Sequence, residues 1–103
     1  EAKTNKHVYH VYAIRVNRRD ELMAYFQKKG IGCGIHYPLP LHLQDAYKAL
    51  KYKAGDFPVA EETASQFVSL PIYPELSASK IEFVTDSIKE FMAMESATKQ
   101  LSA

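Results

Sequence analysis

The residues best suited to chemistry stand together in Gly34-Ile35-His36-Tyr37-Pro38-Leu39-Pro40-Leu41-His42-Leu43-Gln44. Two imidazoles, a phenol and a carboxamide surround two prolines. These groups donate and accept hydrogen bonds and suit recognition of a polar ligand. Pro38 and Pro40 fix φ and reduce the entropy lost on ordering, so the polar groups beside them are held in place. Rigidly held polar side chains at a strand end are what a binding site needs. His36 is equally compatible with a buried structural histidine, and Tyr37 with a core ring whose hydroxyl reaches a carbonyl. His36 and His42 have no Cys or carboxylate at a matching ligand spacing, so no metal is expected. The residues alone reach a small α+β domain with a rigid, polar, ligand-facing loop.

Other chemistry is weaker. Cys33 is the only cysteine and sits in the apolar run Ile31-Gly32-Cys33-Gly34-Ile35, where a small packed side chain is the better reading than a nucleophile. With no disulfide possible inside the chain, a reducing cytoplasm is the simplest setting. Thirteen basic residues against twelve acidic ones leave a net charge of +1, and no basic stripe with interleaved aromatics offers a nucleic-acid face. Lys48, Lys51 and Lys53, flanked by Asp45 and Asp56, read as a solvated surface. The apolar groups are short, far from the roughly 18 consecutive residues of a membrane span. No signal-peptide pattern opens the chain.

At 103 residues and 47% apolar content, one domain is expected, with a real core and little stability to spare. Residues 1–6 read as a ragged polar start, 7–94 as the domain, and 95–103 as a fraying tail. His7 to Val16 reads as a strand with two apolar faces, Val8, Tyr12, Ile14 and Val16 on one and Tyr9, Val11 and Ala13 on the other. Such a strand should be covered on both sides, by helices or by another domain, and a chain beginning there suggests a piece of something larger.

Asn17 is placed to cap a helix with Asp20 and Glu21 in its first turn, Lys28 and Lys29 in its last, and an apolar stripe of Leu22, Met23 and Phe26. Gly30 supplies its left-handed stop. Ile31 to Tyr37 is expected as a second strand, Gln44 to Leu50 as a short helix, and Gly55-Asp56 as a turn. Pro58 opens a helix with inner face Ala60, Ala64 and Phe67. Val68 to Ile72 is expected as a third strand. Ser77 caps a last helix whose stripe is Ile81, Val84, Ile88, Phe91 and Met92, with Lys80, Glu82, Asp86, Lys89 and Glu90 on its wet side. The order predicts an α+β fold, a small antiparallel or mixed three-stranded sheet with helices packed on it.

Several segments together resemble one family. His10-Val11-Tyr12 with Ile14-Arg15-Val16, Arg19-Asp20-Glu21-Leu22, Gly30-Ile31-Gly32, Gly34 to Pro38, Pro40 to Gln44, Asp56 to Glu61 and Ser69 to Leu76 resemble, in order and spacing, the C-terminal portion of the DegT/DnrJ/EryC1/StrS sugar aminotransferases. The resemblance covers about Val8 to Met92. It implies the small C-terminal domain of the aspartate-aminotransferase type of fold. It also implies a parent enzyme using pyridoxal 5'-phosphate to move an amino group, usually from glutamate, to a nucleotide-linked keto-sugar. The cofactor, its Schiff-base lysine and most phosphate ligands are expected on a large N-terminal domain outside this chain, and no catalytic or cofactor-binding residue is carried over here. This chain alone is expected to be inactive. His36 and Tyr37, then His42 and Gln44, are expected near the substrate, hydrogen-bonding sugar hydroxyls or nucleotide phosphates. The Ile-His-Tyr-Pro form leans toward amination at the 3-position. A cytoplasmic homodimer serving polysaccharide or antibiotic-sugar synthesis is the family's usual setting. Rival readings are a pyridoxamine-phosphate-dependent sugar dehydratase of the same family and a stand-alone ferredoxin-like binding module.

Overall fold

The computed structural model describes residues 2–101, with side-chain detail for 2–94. The elements run β1 (Tyr12–Arg15), α1 (Arg19–Lys28), two 3-10 turns (Leu41–Leu43 and Asp45–Leu50), α2 (Pro58–Gln66), β2 (Phe67–Leu70) and α3 (Ala78–Leu101). β1 and β2 pair antiparallel, with Tyr12 opposite Leu70, Ala13 opposite Ser69, Ile14 opposite Val68 and Arg15 opposite Phe67. The fold is α+β, but among the described residues the sheet has two strands and not the expected three.

The expected middle strand, Ile31 to Tyr37, is reduced to one bridge. Gly34 N donates to Ser69 O at 3.2 Å, and Ser69 N donates to Gly34 O at 2.7 Å. Pro38 removes a ladder donor just beyond this point and biases its neighbour, so pairing does not propagate. β1 is also shorter than expected. Tyr9 has φ 52, a left-handed conformation that interrupts an extended run. Its two faces are not both covered. Val16 is buried and Ile14 packs on the core, whereas Val8, Tyr9 and Tyr12 are exposed.

The core lies where α1 crosses β2 and α3. Leu22, Phe26 and Val68 are fully buried at 0% exposure, joined by Val16, Ile31, Val84 and Phe91. Tyr25 and Phe91 add a ring contact at 5.8 Å between centroids. Glu90 ties α3 to α1, accepting from the Tyr25 hydroxyl at 2.7 Å and pairing with Lys29. Burying apolar area at about 25 cal/mol per Å² makes this cluster the main source of stability.

Local signals hold in part. Gly30 takes φ 72 and ends α1, and Ile31 N then donates to Phe26 O at 2.9 Å. Pro58 stands in the first turn of α2. Lys80 N donates to Ser77 Oγ at 3.4 Å, at the start of α3. Asn17 does not cap α1. The residue in that position is Arg18, and Asn17 Oδ1 instead accepts from Gln66 Nε2 at 3.4 Å. In α2 only Ala64 is buried. Ala60 is exposed, and Phe67 is the first residue of β2 and not part of the helix. Among the α3 residues whose burial is described, Val84, Ser87 and Phe91 are buried, with Ile88 packed beside them, while Ile81 and Met92 are exposed. The covered stripe is narrower than its periodicity implied because only Val84, Ser87, Ile88 and Phe91 of its described positions turn toward the core. α3 continues through most of the expected tail to Leu101, and residues 1, 102 and 103 lie outside those described.

α2 is fastened across β1 by polar contacts. Val16 N donates to Gln66 O at 3.0 Å, Arg15 Nη2 to Gln66 Oε1 at 2.6 Å, and Arg19 Nη1 to Ala64 O at 2.8 Å. These contacts fix α2 relative to β1 and the start of α1.

Candidate functional site

A concavity of about 1170 Å³ opens between the loop after Gly34 and the start of α2. His36, Tyr37, His42 and Gln44, the residues singled out in the sequence, all line it. Phe57, Pro58, Val59, Thr63 and Phe67 also line it. The four polar residues are therefore brought to one place, but their situations differ.

His36 is exposed, and its Nδ1 lies 2.9 Å from Ser69 Oγ. Ser69 is itself buried. The ring is fixed at one nitrogen, and Nε2 remains for a ligand. Gly34 allows this placement, since a Cβ there would meet His36 Cε1 at 3.3 Å. Tyr37 is 72% exposed and stands edge-on to the His36 ring, with centroids 6.0 Å apart. The reading of His36 and Tyr37 as buried core side chains does not hold.

His42 is the opposite case. Its side chain is only 8% exposed, and its Nε2 lies 2.9 Å from Glu61 Oε1. The ring also packs on Phe57 at 4.8 Å between centroids. Glu61 accepts further from Gly55 N at 2.9 Å and Phe57 N at 3.3 Å. The Gly55 N–H above all, then His42 and the Phe57 N–H, hold its carboxyl below the usual glutamate range against a partial loss of hydration. Gln44 Nε2 donates to Leu39 O at 3.3 Å and braces the proline loop from within. Sequence reasoning missed Ser69 and Glu61. Glu61 had a faint signal, a carboxylate one turn into a proline-started helix, from where it reaches back to the helix entry.

Elsewhere the chemistry is bland. Cys33 is half-buried, and burial pushes its thiol up, away from the reactive thiolate. Lys48 pairs with Asp45 at 2.9 Å on an open surface, as the solvated-face reading has it. Among the described residues, no three His, Cys, Asp or Glu side chains gather as a metal site, and no helix is long and apolar enough to cross a membrane.

The family model described as the DegT/DnrJ/EryC1/StrS aminotransferase family matches residues 1–89. The chain belongs to the DegT/DnrJ/EryC1/StrS aminotransferase family. Among its relatives in this family, a pleiotropic regulatory protein of Geobacillus stearothermophilus is 46% identical over 85 residues, covering 82% of this chain and 23% of that protein. The dTDP-3-amino-3,4,6-trideoxy-alpha-D-glucose transaminase of Streptomyces venezuelae is 39% identical over 84 residues, covering 82% and 22%. The crystal structure of S. venezuelae DesV in complex with a ketimine intermediate superposes with a TM-score of 0.77 at 38% identity, over 84% of this chain and 23% of that one. The chain thus spans about a quarter of the length of the family members it matches.

Proposed function

We propose that this chain is the small C-terminal domain of a pyridoxal-phosphate-dependent aminotransferase that aminates a nucleotide-linked keto-sugar, and that the concavity beside His36 and Tyr37 is part of its sugar-binding wall. The observation that carries the reading is the convergence of His36, Tyr37, His42 and Gln44 on one open concavity. His36 Nε2 and the Tyr37 hydroxyl face the substrate as hydrogen-bonding groups. His42 and Gln44 act one step back, holding the loop. The transaminase activity named for the Streptomyces relative supports the reaction class, and its 3-amino product supports amination at the 3-position.

The lining residues do not fit the cofactor itself. Pyridoxal phosphate needs an amine to bind its aldehyde, a partner for its ring nitrogen and a phosphate cradle. The concavity is lined by neither lysine nor arginine. On this reading the cofactor is held by the large domain outside this chain, in a homodimer of the intact enzyme. This chain contributes orientation of the acceptor sugar.

The test is steady-state kinetics of the intact enzyme with 3-keto and 4-keto nucleotide sugars, glutamate being the donor. His36→Gln and Tyr37→Phe are expected to raise KM for the 3-keto sugar. Unchanged sugar kinetics in both variants would discard the assignment, and turnover confined to 4-keto sugars would correct the position.

A further inference from the structure

Glu61 joins two segments that are separate in sequence, the turn at His42 and the turn at Gly55 to Phe57, through one carboxylate. Oε1 accepts from His42 Nε2 at 2.9 Å, from Gly55 N at 2.9 Å and from Phe57 N at 3.3 Å, and Oε2 accepts from Gly55 N at 3.0 Å. An ionised carboxylate only accepts, so the Nε2 of His42 carries the hydrogen in this contact. The side chain is three-quarters covered, at 23% exposure, and belongs to the first turn of α2.

Both segments border the same concavity. Leu41 and His42 of the first, and Asp56 and Phe57 of the second, line it. The second turn has little else to hold it. Lys53 and Asp56 close it locally, with Asp56 N donating to Lys53 O at 3.2 Å and Lys53 N donating to Asp56 Oδ2 at 3.0 Å. Gly55 there takes φ 95, which turns its N–H toward Glu61. Phe57 then packs between His42 and Tyr52, with centroids 4.8 and 5.1 Å away.

We propose that Glu61 is the positioning residue of this wall. By binding the His42 ring and the Gly55 and Phe57 amides with one carboxylate, it sets the width of the concavity and so the fit of the sugar. It touches no reacting atom. The inference rests on the reading of the concavity as a substrate wall, and its test separates the two.

Two measurements are combined. In the 15N-labelled chain, Glu61→Ala is expected to speed exchange of the Gly55 and Phe57 amides about tenfold, the scale of one lost hydrogen bond. In the intact enzyme, the same variant is expected to raise KM for the keto-sugar about tenfold, the order that a misplaced binding wall costs, with kcat held within about twofold. Glu61→Gln keeps an acceptor oxygen and is expected to return KM to within about threefold of wild type. If Glu61→Ala does not fold, Glu61→Leu, which fills the space but offers no acceptor, carries the test, and wild-type exchange and KM in it overturn the proposal. Unchanged amides in Glu61→Ala overturn it at the level of geometry. Faster amides with an unchanged KM, beside raised KM in the His36 and Tyr37 variants, overturn it and leave the site reading intact. Unchanged KM in all of these variants overturns both.

Discussion

His36 and Ser69 are joined by a 2.9 Å contact between Nδ1 and Oγ, across 33 positions of sequence. The serine is at the centre of β2, and its backbone exchanges hydrogen bonds with Gly34. The start of the proline loop is thereby attached to the sheet by a side chain as well as by backbone. The ring nitrogen left over, Nε2, is the one the sugar-binding reading uses.

Ser69→Ala should loosen His36 without unfolding the domain. One neutral hydrogen bond is worth about 1 kcal/mol, so a loss of that size is expected in urea denaturation. In the intact enzyme the sugar KM should rise severalfold. A variant with wild-type KM would show that His36 does not need this partner.

The core carries the fold. Phe26 and Leu22 are fully buried, and truncating either to alanine should cost about 3–5 kcal/mol. That approaches the total stability of a domain this small, about 5–15 kcal/mol. Circular dichroism of Phe26→Ala should show a largely unfolded chain at 37 °C. A cooperative transition close to wild type would move the core elsewhere.

The junction of α1 and α3 should be pH-dependent. The Lys29 contact, then the Tyr25 hydroxyl, hold the Glu90 carboxyl below its usual range, and Glu90 first and Tyr25 next hold Lys29 above its own. A depressed carboxylate stabilises the fold above its unfolded value of about 4.3, and the effect fades as pH falls through the lower folded value. A raised lysine stabilises below its unfolded value of about 10.4, and the effect fades as pH rises through the higher folded value. Glu90→Gln should therefore lower the denaturation midpoint near neutral pH and lose that difference in strong acid. An equal difference at both pH values would contradict the linkage.

Gly30 and Gly32 should respond differently to alanine. Both have open space where a Cβ would go, but Gly30 alone of the two has positive φ. Gly30→Ala should cost about 1–2 kcal/mol, the price of a left-handed alanine, and Gly32→Ala close to nothing. Equal midpoints in denaturant would show that the turn after α1 relaxes.

This chain with added pyridoxal phosphate, glutamate and a nucleotide-linked keto-sugar should form no amino-sugar, because no lysine lines the concavity. Detection of the aminated product by mass spectrometry would overturn that expectation.

Much of this molecule is determined locally and can be read along the chain. The stop at Gly30, the proline start of α2, the buried positions Leu22, Phe26, Val84 and Phe91, and the polar proline loop all follow from φ preferences and periodicity, which act over a few residues. Other features depended on contacts between distant segments. Periodicity makes Ile81 and Met92 as apolar as Val84 and Phe91, but only the packing of α1 and β2 against α3 selects which are covered. The segment Ile31 to Tyr37 does not reveal that a single residue, Gly34, will pair. Sequence placed His36, Tyr37, His42 and Gln44 in one loop, yet the fold alone divided them. Ser69 holds His36 at the surface, and Glu61 draws His42 inward, because each partner lies on an element far along the chain. Hydrogen bonds and burial at such separations are set by tertiary geometry, to which local sequence pattern is blind.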